Sequence, residues 1–326
     1  MNEISQQLRQ IVQDRLKENE PMSKHTNFRI GGPAKYFVEV KTVEELVRVM
    51  EIAQKNACAT FVFGGGSNTL VSDQGFDGLV IKLIMRDISI DGLRVRAEAG
   101  ALMTLLSRTV GDAGLSGLEW AISLPGTVGG AVRGNAGCFG GETKDYLKEI
   151  ELLVNGKVVK RSKEKLAFGY RESIIKHSSN IVLSATFQLQ EGDVAVIKEK
   201  MNTILARRKA SQPYDAGSAG CMFKNFEITS EEELQRLKSI LDLPTEVSNS
   251  RQVSVGWLID QLDLKGKQIG GAKISEKHGN FLVNTGAATA DEIVQLIAFV
   301  KTRARNTFGI QLQEEVQYAG FTSPNL

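Results

Sequence analysis

The stretch that most limits what this chain can become is Ser123–Glu142, SLPGTVGGAVRGNAGCFGGE, with seven glycines in twenty residues. Glycine weakens helix and strand interiors, so such a run is kept for its backbone geometry. Bare main-chain N–H groups can approach an anionic ligand closely, as phosphate-binding loops do. A second run, Gly64-Gly65-Gly66-Ser67-Asn68, follows the apolar segment Ala59–Phe63. It lacks the Gly-Lys-Ser/Thr of a Walker A loop and the spacing of G-x-G-x-x-G. Alone, a glycine triplet after a strand is compatible with a plain turn. Together the two runs read as a nucleotide-cofactor cradle, two backbone-donor loops clamping one diphosphate.

The chain length of 326 residues suggests two or three domains. A formal net charge of +2 offers no basic face for nucleic acid or a membrane surface, so an anionic ligand must be held by local groups. Cys58, Cys138 and Cys221 are far apart and odd in number, which argues against a disulfide framework or a zinc cluster. His25, His177 and His278 lack metal-ligand spacing, and no metal is expected. No signal peptide and no membrane span is expected. A reducing cytoplasm fits.

Ile4, Leu8, Ile11, Val12 and Leu16 predict an amphipathic helix over 4–17. A loop over 25–34 leads to a strand at Tyr36–Val40. Thr42 and Glu45 form a capping box before a helix, and Ala59–Phe63 completes a β-α-β unit that ends in the glycine loop. In α/β layers, ligands sit at such strand ends. Strands are expected at 79–83 and 88–90. Asp91-Gly92 and Asn155-Gly156 mark hairpins. Helices are expected over 101–113 and 193–209, with a strand over 181–189. Gln212–Ser218 reads as a linker. Beyond it, helices are expected near 230–241, 254–262 and 289–308, strands at Phe281–Val283 and Ile310–Gln313, and a loose tail at Thr322–Leu326.

Three further elements are ambiguous by themselves. Tyr170-Arg171-Glu172-Ser173 follows a glycine turn. An arginine there is ordinarily a surface residue, or else a fixed cation for a carboxylate or enolate. Cys221 follows a small-residue turn; a lone cysteine is commonly apolar filler, and no neighbouring histidine argues for a nucleophile. Glu314-Glu315 would ordinarily be solvated.

In combination these segments are specific. Gly64–Asn68, Pro125–Ala131, Asn135–Gly137, Tyr170–Ser173, Gly220–Asn225, His278–Asn284 and Glu315-Val316 occur in this order over nearly the whole chain. The sequence closely resembles the UDP-N-acetylenolpyruvoylglucosamine reductase family, the MurB family of bacterial cell-wall synthesis. Its length and Tyr-Arg-x-Ser element are similar to the second of two subtypes, which lacks an extra tyrosine-bearing loop. The resemblance implies an α+β fold: a two-part FAD-binding unit of the vanillyl-alcohol-oxidase type plus a separate α/β substrate domain. The corresponding boundaries are 1–78 and 79–209 for the two FAD-binding parts and 210–316 for the substrate domain, with 317–326 packing on the first part.

The resemblance also implies noncovalent FAD, NADPH as reductant and a nucleotide-sugar substrate. Hydride would pass from flavin N5 to the vinyl carbon of the enolpyruvyl ether, and a proton to the neighbouring carbon. A monomer is expected. Arg171 and Glu315 match the family's groups that polarise the substrate carboxylate, and Cys221 stands where the family usually has a serine proton donor. Gly64, Gly65, Gly66, Ser67, Asn68, Pro125, Gly126, Thr127, Gly129, Gly130, Asn135 and Gly137 are the implied cofactor residues. Tyr170, Lys209, Lys224 and Asn225 are the implied substrate residues.

The sequence departs from the family pattern at three places. Cys221 replaces serine; a thiol, with a reference pKa of about 8.5, is a stronger acid than an alcohol, and the donor role is expected to persist. Phe226 replaces a proline, and Arg133-Gly134 replaces two apolar residues. The alternatives are another flavin oxidase of the same fold, with Cys138 as a covalent flavin attachment point, and a catalytically silent flavin- or nucleotide-sugar-binding protein.

Overall fold

The computed structural model describes residues 3–321, so the expected C-terminal tail at 322–326 lies outside the described residues. The chain divides into two compact units. One comprises the chain up to His25, Pro33–Ser67 and Gly75–Ala210; the other comprises Thr26–Gly32, Asn68–Gln74 and the chain from Ser211 onward.

Two sheets build the first unit. In one, the strand order is Leu16–Pro21, Pro33–Val40, Phe76–Leu83, Thr60–Phe63. The first pairing is antiparallel and the other two are parallel. The helix Val43–Lys55 makes the crossover, and Thr42 accepts from the Glu45 N–H at 3.2 Å at its start. The strands it joins are not neighbours, because Phe76–Leu83 lies between them. The helix expected over 4–17 stops at Val12. Gln13 takes a left-handed φ of 54°, and Leu16 begins a strand opposite Val38. Leu16 is buried, as its helical spacing suggested, but the burial is satisfied by the sheet. Phe76–Leu83 also runs across the boundary expected at 78/79, keeping Leu79–Ile81 in this sheet.

The second sheet is antiparallel, in the order Lys157–Ser162, Leu147–Val154, Ile181–Gln188, Arg94–Glu98, Ile88–Asp91. Both Asn/Asp-Gly hairpins form where the sequence put them. One hydrophobic core runs through both sheets and the helix Met103–Asp112, joining Val38, Ile81, Val95, Leu106, Val128 and Phe187. Burial of such side chains is worth about 1.5–3 kcal/mol each, the main favourable contribution to holding the glycine loops in place.

The second unit packs the helices Glu231–Ile240, Thr245–Ser250, Val255–Gln261 and Ala290–Phe308 with short strands around Phe28, Leu70, Met222, Phe223, Leu296 and Val316. Residues 68–74 are part of it although they follow the first glycine loop directly. Thr69–Val71 pairs in parallel with Gln317–Ala319. The Asp73 carboxylate accepts from the N–H groups of Ala290 and Asp291 at 2.9 and 3.1 Å, satisfying two orphan donors at the start of the long helix. Thr289 and Glu292 complete that helix start as the expected capping box. Ile310–Gln313, expected as a strand, lies outside any strand. The backbone there meets the chain near Phe223 at one isolated bridge, through Glu314, and burial of Ile310 and Leu312 in the core explains the apolar alternation.

Candidate functional site

The two glycine runs meet in the first unit. Ser67 Oγ donates to the Pro125 carbonyl at 3.3 Å. A Cβ on Gly65 would stand 3.0 Å from the Gly126 Cα, so the main chains touch with no room for a side chain. Gly126 has φ +110°, and a Cβ there would lie 2.7 Å from Ser67 Oγ. Among the described residues, no main-chain bond of the loops and turns is donated by Gly65, Gly66 or Ser67. These amides therefore form a cradle of donors suited to phosphate or carbonyl oxygens.

The long run is not all loop. Val128–Arg133 is a short helix capped by Thr127, whose hydroxyl accepts from the Gly130 N–H at 3.4 Å. The Val128 and Gly129 amides donate to Ala101 and Ala99. Gly129 and Gly130 thus spend their N–H groups inside the protein, whereas Gly64–Ser67 and Pro125–Thr127 are the expected cofactor residues that lie where the two runs meet. Asn135 is fully buried. Its Nδ2 donates to Glu142 Oε2 and the Gly169 carbonyl at 3.0 and 2.8 Å, and its Oδ1 accepts from the Lys144 N–H at 3.1 Å. It ties the glycine run to the Arg171 loop.

Arg171 sits in a turn where Gly169 and Glu172 exchange N–H···O bonds of 3.1 and 3.3 Å. Its φ is +56°, a left-handed conformation costing a non-glycine residue about 1–2 kcal/mol. The guanidinium Nη2 donates to the Gly137 carbonyl at 2.6 Å, and Cζ lies 4.9 Å from the centre of the Tyr170 ring. Lys176 Nζ donates to the Arg171 carbonyl at 3.0 Å. The departure at Arg133 has a local explanation: Arg133 donates to the Lys176 carbonyl, and Ser173 Oγ donates to the Arg133 carbonyl at 2.6 Å. The polar substitution braces the Arg171 loop. Lys209 lies in the last turn of the helix Val194–Ser211, also in this unit.

The second unit carries Cys221, Lys224, Asn225 and Glu315. Cys221 carries a half-buried thiol and lies opposite Phe281 in an isolated antiparallel bridge. Asn280, buried, accepts from the Phe223 N–H at 2.9 Å and donates to the Phe223 carbonyl at 2.8 Å, clamping the segment just beyond the thiol. The Glu315 N–H donates to the Met222 carbonyl at 2.8 Å, which joins the thiol-bearing and carboxylate-bearing segments. Asn68 Nδ2 donates to the Glu315 carbonyl at 3.1 Å. Asn225 Oδ1 accepts from the Val255 N–H at 3.4 Å, at the start of a helix. Phe226 pairs with Val253 in a two-residue ladder and packs on the core. Burial pushes the pKa of His278 down, and its Nδ1 accepts from the Asn280 N–H.

Within each unit, then, the structure joins residues that are distant in sequence: Gly65 with Gly126 and Arg171 with Gly137 in the first, Cys221's segment with Glu315 and Asn68 in the second. Sequence reasoning assigned no role to Asn280 or Ser173, and none to Arg133 beyond a departure. The available signal was weak: single polar residues flanking apolar segments. Among the described residues no group of three or more His, Cys, Asp or Glu could hold a metal ion, and no helix is long and apolar enough to cross a membrane.

A model of the C-terminal domain of UDP-N-acetylenolpyruvoylglucosamine reductase matches residues 212–319, and a model described as an FAD binding domain matches residues 34–162. The chain is 38% identical over 310 residues to the UDP-N-acetylenolpyruvoylglucosamine reductase of Syntrophomonas wolfei, an alignment covering 94% of this chain and 96% of that protein. The chain belongs to the UDP-N-acetylenolpyruvoylglucosamine reductase family. The Clostridioides difficile reductase is 37% identical, with 95% of each chain covered. The crystal structure of the reductase from Thermus caldophilus superposes with a TM-score of 0.76 at 34% identity, covering 93% of this chain and 99% of that one. The fold is accordingly the family's, an FAD binding domain followed by a separate C-terminal domain.

Both glycine runs fall inside the FAD-binding domain of this reductase-family chain, and their main-chain contact fits a cofactor that needs backbone donors. Gly126→Ala tests the cradle. It forces an L-residue to φ +110° and drives a methyl against Ser67, at a cost of about 1–3 kcal/mol. FAD affinity, measured by fluorescence titration of the apoprotein, is expected to fall about 5- to 150-fold, since about 1.4 kcal/mol is a factor of ten.

Proposed function

We propose that this protein reduces the enolpyruvyl ether of UDP-N-acetylglucosamine to UDP-N-acetylmuramate, with NADPH as the reductant and FAD held noncovalently, as a cytoplasmic monomer. The observation that carries the reading is the end-to-end similarity to reductases named for that substrate, together with FAD-binding and C-terminal domain matches in the expected order. Bound FAD supplies the chemistry of hydride transfer from the nicotinamide to the vinyl methylene carbon.

The protein's own residues account for the rest. As hydride reaches the vinyl carbon, the double-bond electron pair moves toward the neighbouring carbon and its carboxylate. Arg171 supplies a fixed cation there; the strained turn, the Tyr170 ring and the Gly137 carbonyl hold it in one orientation before substrate arrives. Glu315 polarises the same carboxylate, either protonated or through the arginine. Cys221 gives its thiol proton to the carbanionic carbon, and the thiolate left behind takes a proton from solvent. Tyr170, Lys209, Lys224 and Asn225 bind the nucleotide-sugar. Noncovalent flavin is supported by Cys138. Its thiol donates to the Trp120 carbonyl at 3.3 Å, and burial pushes its pKa up, which leaves it a poor nucleophile.

An anaerobic two-step flavin assay tests the proposal. The purified protein is expected to be yellow, to bleach with NADPH, and to regain its colour when the enolpyruvyl substrate is added. Bleaching without recovery would reject the reductase reading. Flavin that stays with the protein after acid precipitation would reject the noncovalent link.

A further inference from the structure

Asn68 ends the first glycine run, and its side chain makes a contact that the cofactor reading does not require. Nδ2 donates to the main-chain carbonyl of Glu315 at 3.1 Å. The same carbonyl accepts from Gln317 Nε2 at 3.1 Å, the Gln317 N–H donates to the Asn68 carbonyl at 3.0 Å, and the Glu315 N–H donates to the Met222 carbonyl at 2.8 Å. The Glu315 peptide is thereby fixed from both sides. Because a carbonyl can only accept, the Asn68 group facing it must be the NH₂, which settles the amide orientation. That leaves Asn68 Oδ1 as a buried acceptor with no partner. Buried polar atoms are nearly always paired, so an orphan beside a glycine loop marks a place for a donor.

We propose that Asn68 is a positioning residue that couples cofactor binding to the setting of Glu315. One end of its carboxamide holds the Glu315 peptide; the other accepts a hydrogen bond from a donor group of bound FAD. A diphosphate at neutral pH offers no donor, so the group at Oδ1 belongs to a part of FAD bearing hydroxyl or ring N–H groups. Occupancy at Oδ1 orients the carboxamide, and its Nδ2 in turn aligns the glutamate backbone. The inference rests on the reductase reading, in which Glu315 acts on the substrate carboxylate.

Gln317→Leu and Asn68→Leu separate the two ends. Gln317→Leu removes one side-chain donor from the Glu315 carbonyl and leaves Oδ1 in place. It is expected to keep FAD affinity within about twofold and to slow substrate-driven flavin reoxidation about 3- to 10-fold, the size of one hydrogen bond. Asn68→Leu removes both ends. It is expected to weaken FAD binding to the apoprotein about 10-fold and, at saturating FAD, to slow reoxidation more than about 10-fold while the NADPH half-reaction changes less. Asn68→Asp keeps an acceptor but cannot donate to the Glu315 carbonyl. It is expected to bind FAD more tightly than Asn68→Leu and to share its slow reoxidation.

Thermal midpoints of the three variants identify any that merely unfold. If the Asn68 variants fold and slow both half-reactions equally, or slow neither, the coupling is wrong. If Asn68→Leu binds FAD as the native chain does, Oδ1 is satisfied by water and the cofactor contact is wrong. A native protein that is bleached by NADPH but not reoxidised would reject the reductase reading instead, so the two failures are distinct.

Discussion

Cys221→Ala is expected to remain yellow, to be reduced by NADPH at close to the native rate, and to lose product formation by about 10²–10⁴-fold, the usual contribution of a positioned general acid. The reasoning is that hydride transfer and protonation use different groups. The expected cofactor residues Gly64–Ser67 and Pro125–Thr127 belong to the first unit, and Cys221 is carried in the second, opposite Phe281. Removing the thiol therefore spares the cofactor and the first half-reaction. What is lost is the proton for the carbon next to the carboxylate. Stopped-flow absorbance of the two half-reactions separates these effects. Near-native reoxidation by substrate in Cys221→Ala would refute the donor assignment.

Cys221→Ser sharpens the same test. A thiol gives up its proton above about pH 8.5, whereas an alcohol retains it well beyond that. An essential protonated thiol predicts an alkaline decline in the reoxidation rate, and the serine variant is expected to lose that decline. The sign is fixed by the role: raising pH removes the proton that the group must donate. A thiol in this position also carries a cost. Treatment with peroxide, which oxidises thiolates, is expected to inactivate the native protein faster than the serine variant. Cys138, half-buried and with its pKa raised by burial, is a slower target.

The parts of this chemistry legible in the sequence were those that depend on backbone form. Two glycine runs were read as one cradle of backbone donors for a ligand, and the structure brings them together at Gly65 and Gly126. The hairpins at Asp91-Gly92 and Asn155-Gly156 and the caps at Thr42 and Thr289 formed because their chemistry is local. What remained illegible was set by contacts between distant segments. Leu16 carries helical spacing yet belongs to a strand, since the helix stops at Val12 and the sheet offers Val38 as a partner. Ile310–Gln313 alternates like a strand but has only one bridging residue beside it. Asn68 looks like the end of a cofactor loop, and pairing of the adjacent Thr69–Val71 with Gln317–Ala319 places it beside Glu315. Composition and periodicity carry no trace of such a meeting.

Arg171→Met is expected to lower reoxidation by substrate about 10²–10³-fold, the loss measured when a donor to a developing negative charge is removed. The effect combines two causes that a second variant resolves. Arg171 donates to the Gly137 carbonyl and lies over the Tyr170 ring, so the methionine variant also loosens the glycine run. That loosening would appear as weaker FAD binding and slower reduction by NADPH. The lost cation would appear only with substrate. Arg171→Lys keeps the charge without the planar fork that can hold Gly137 and a carboxylate in one geometry. It is expected to recover part of the substrate half-reaction, remaining about tenfold or more below native, because an ammonium acts as a point charge and loses bidentate alignment. Equal activity of the lysine and native proteins would mean that charge alone suffices. The left-handed backbone at Arg171, which costs about 1–2 kcal/mol, would then have no catalytic return. A full loss in both variants with unchanged FAD affinity would instead assign the whole effect to the fork, held in place before the substrate carboxylate arrives.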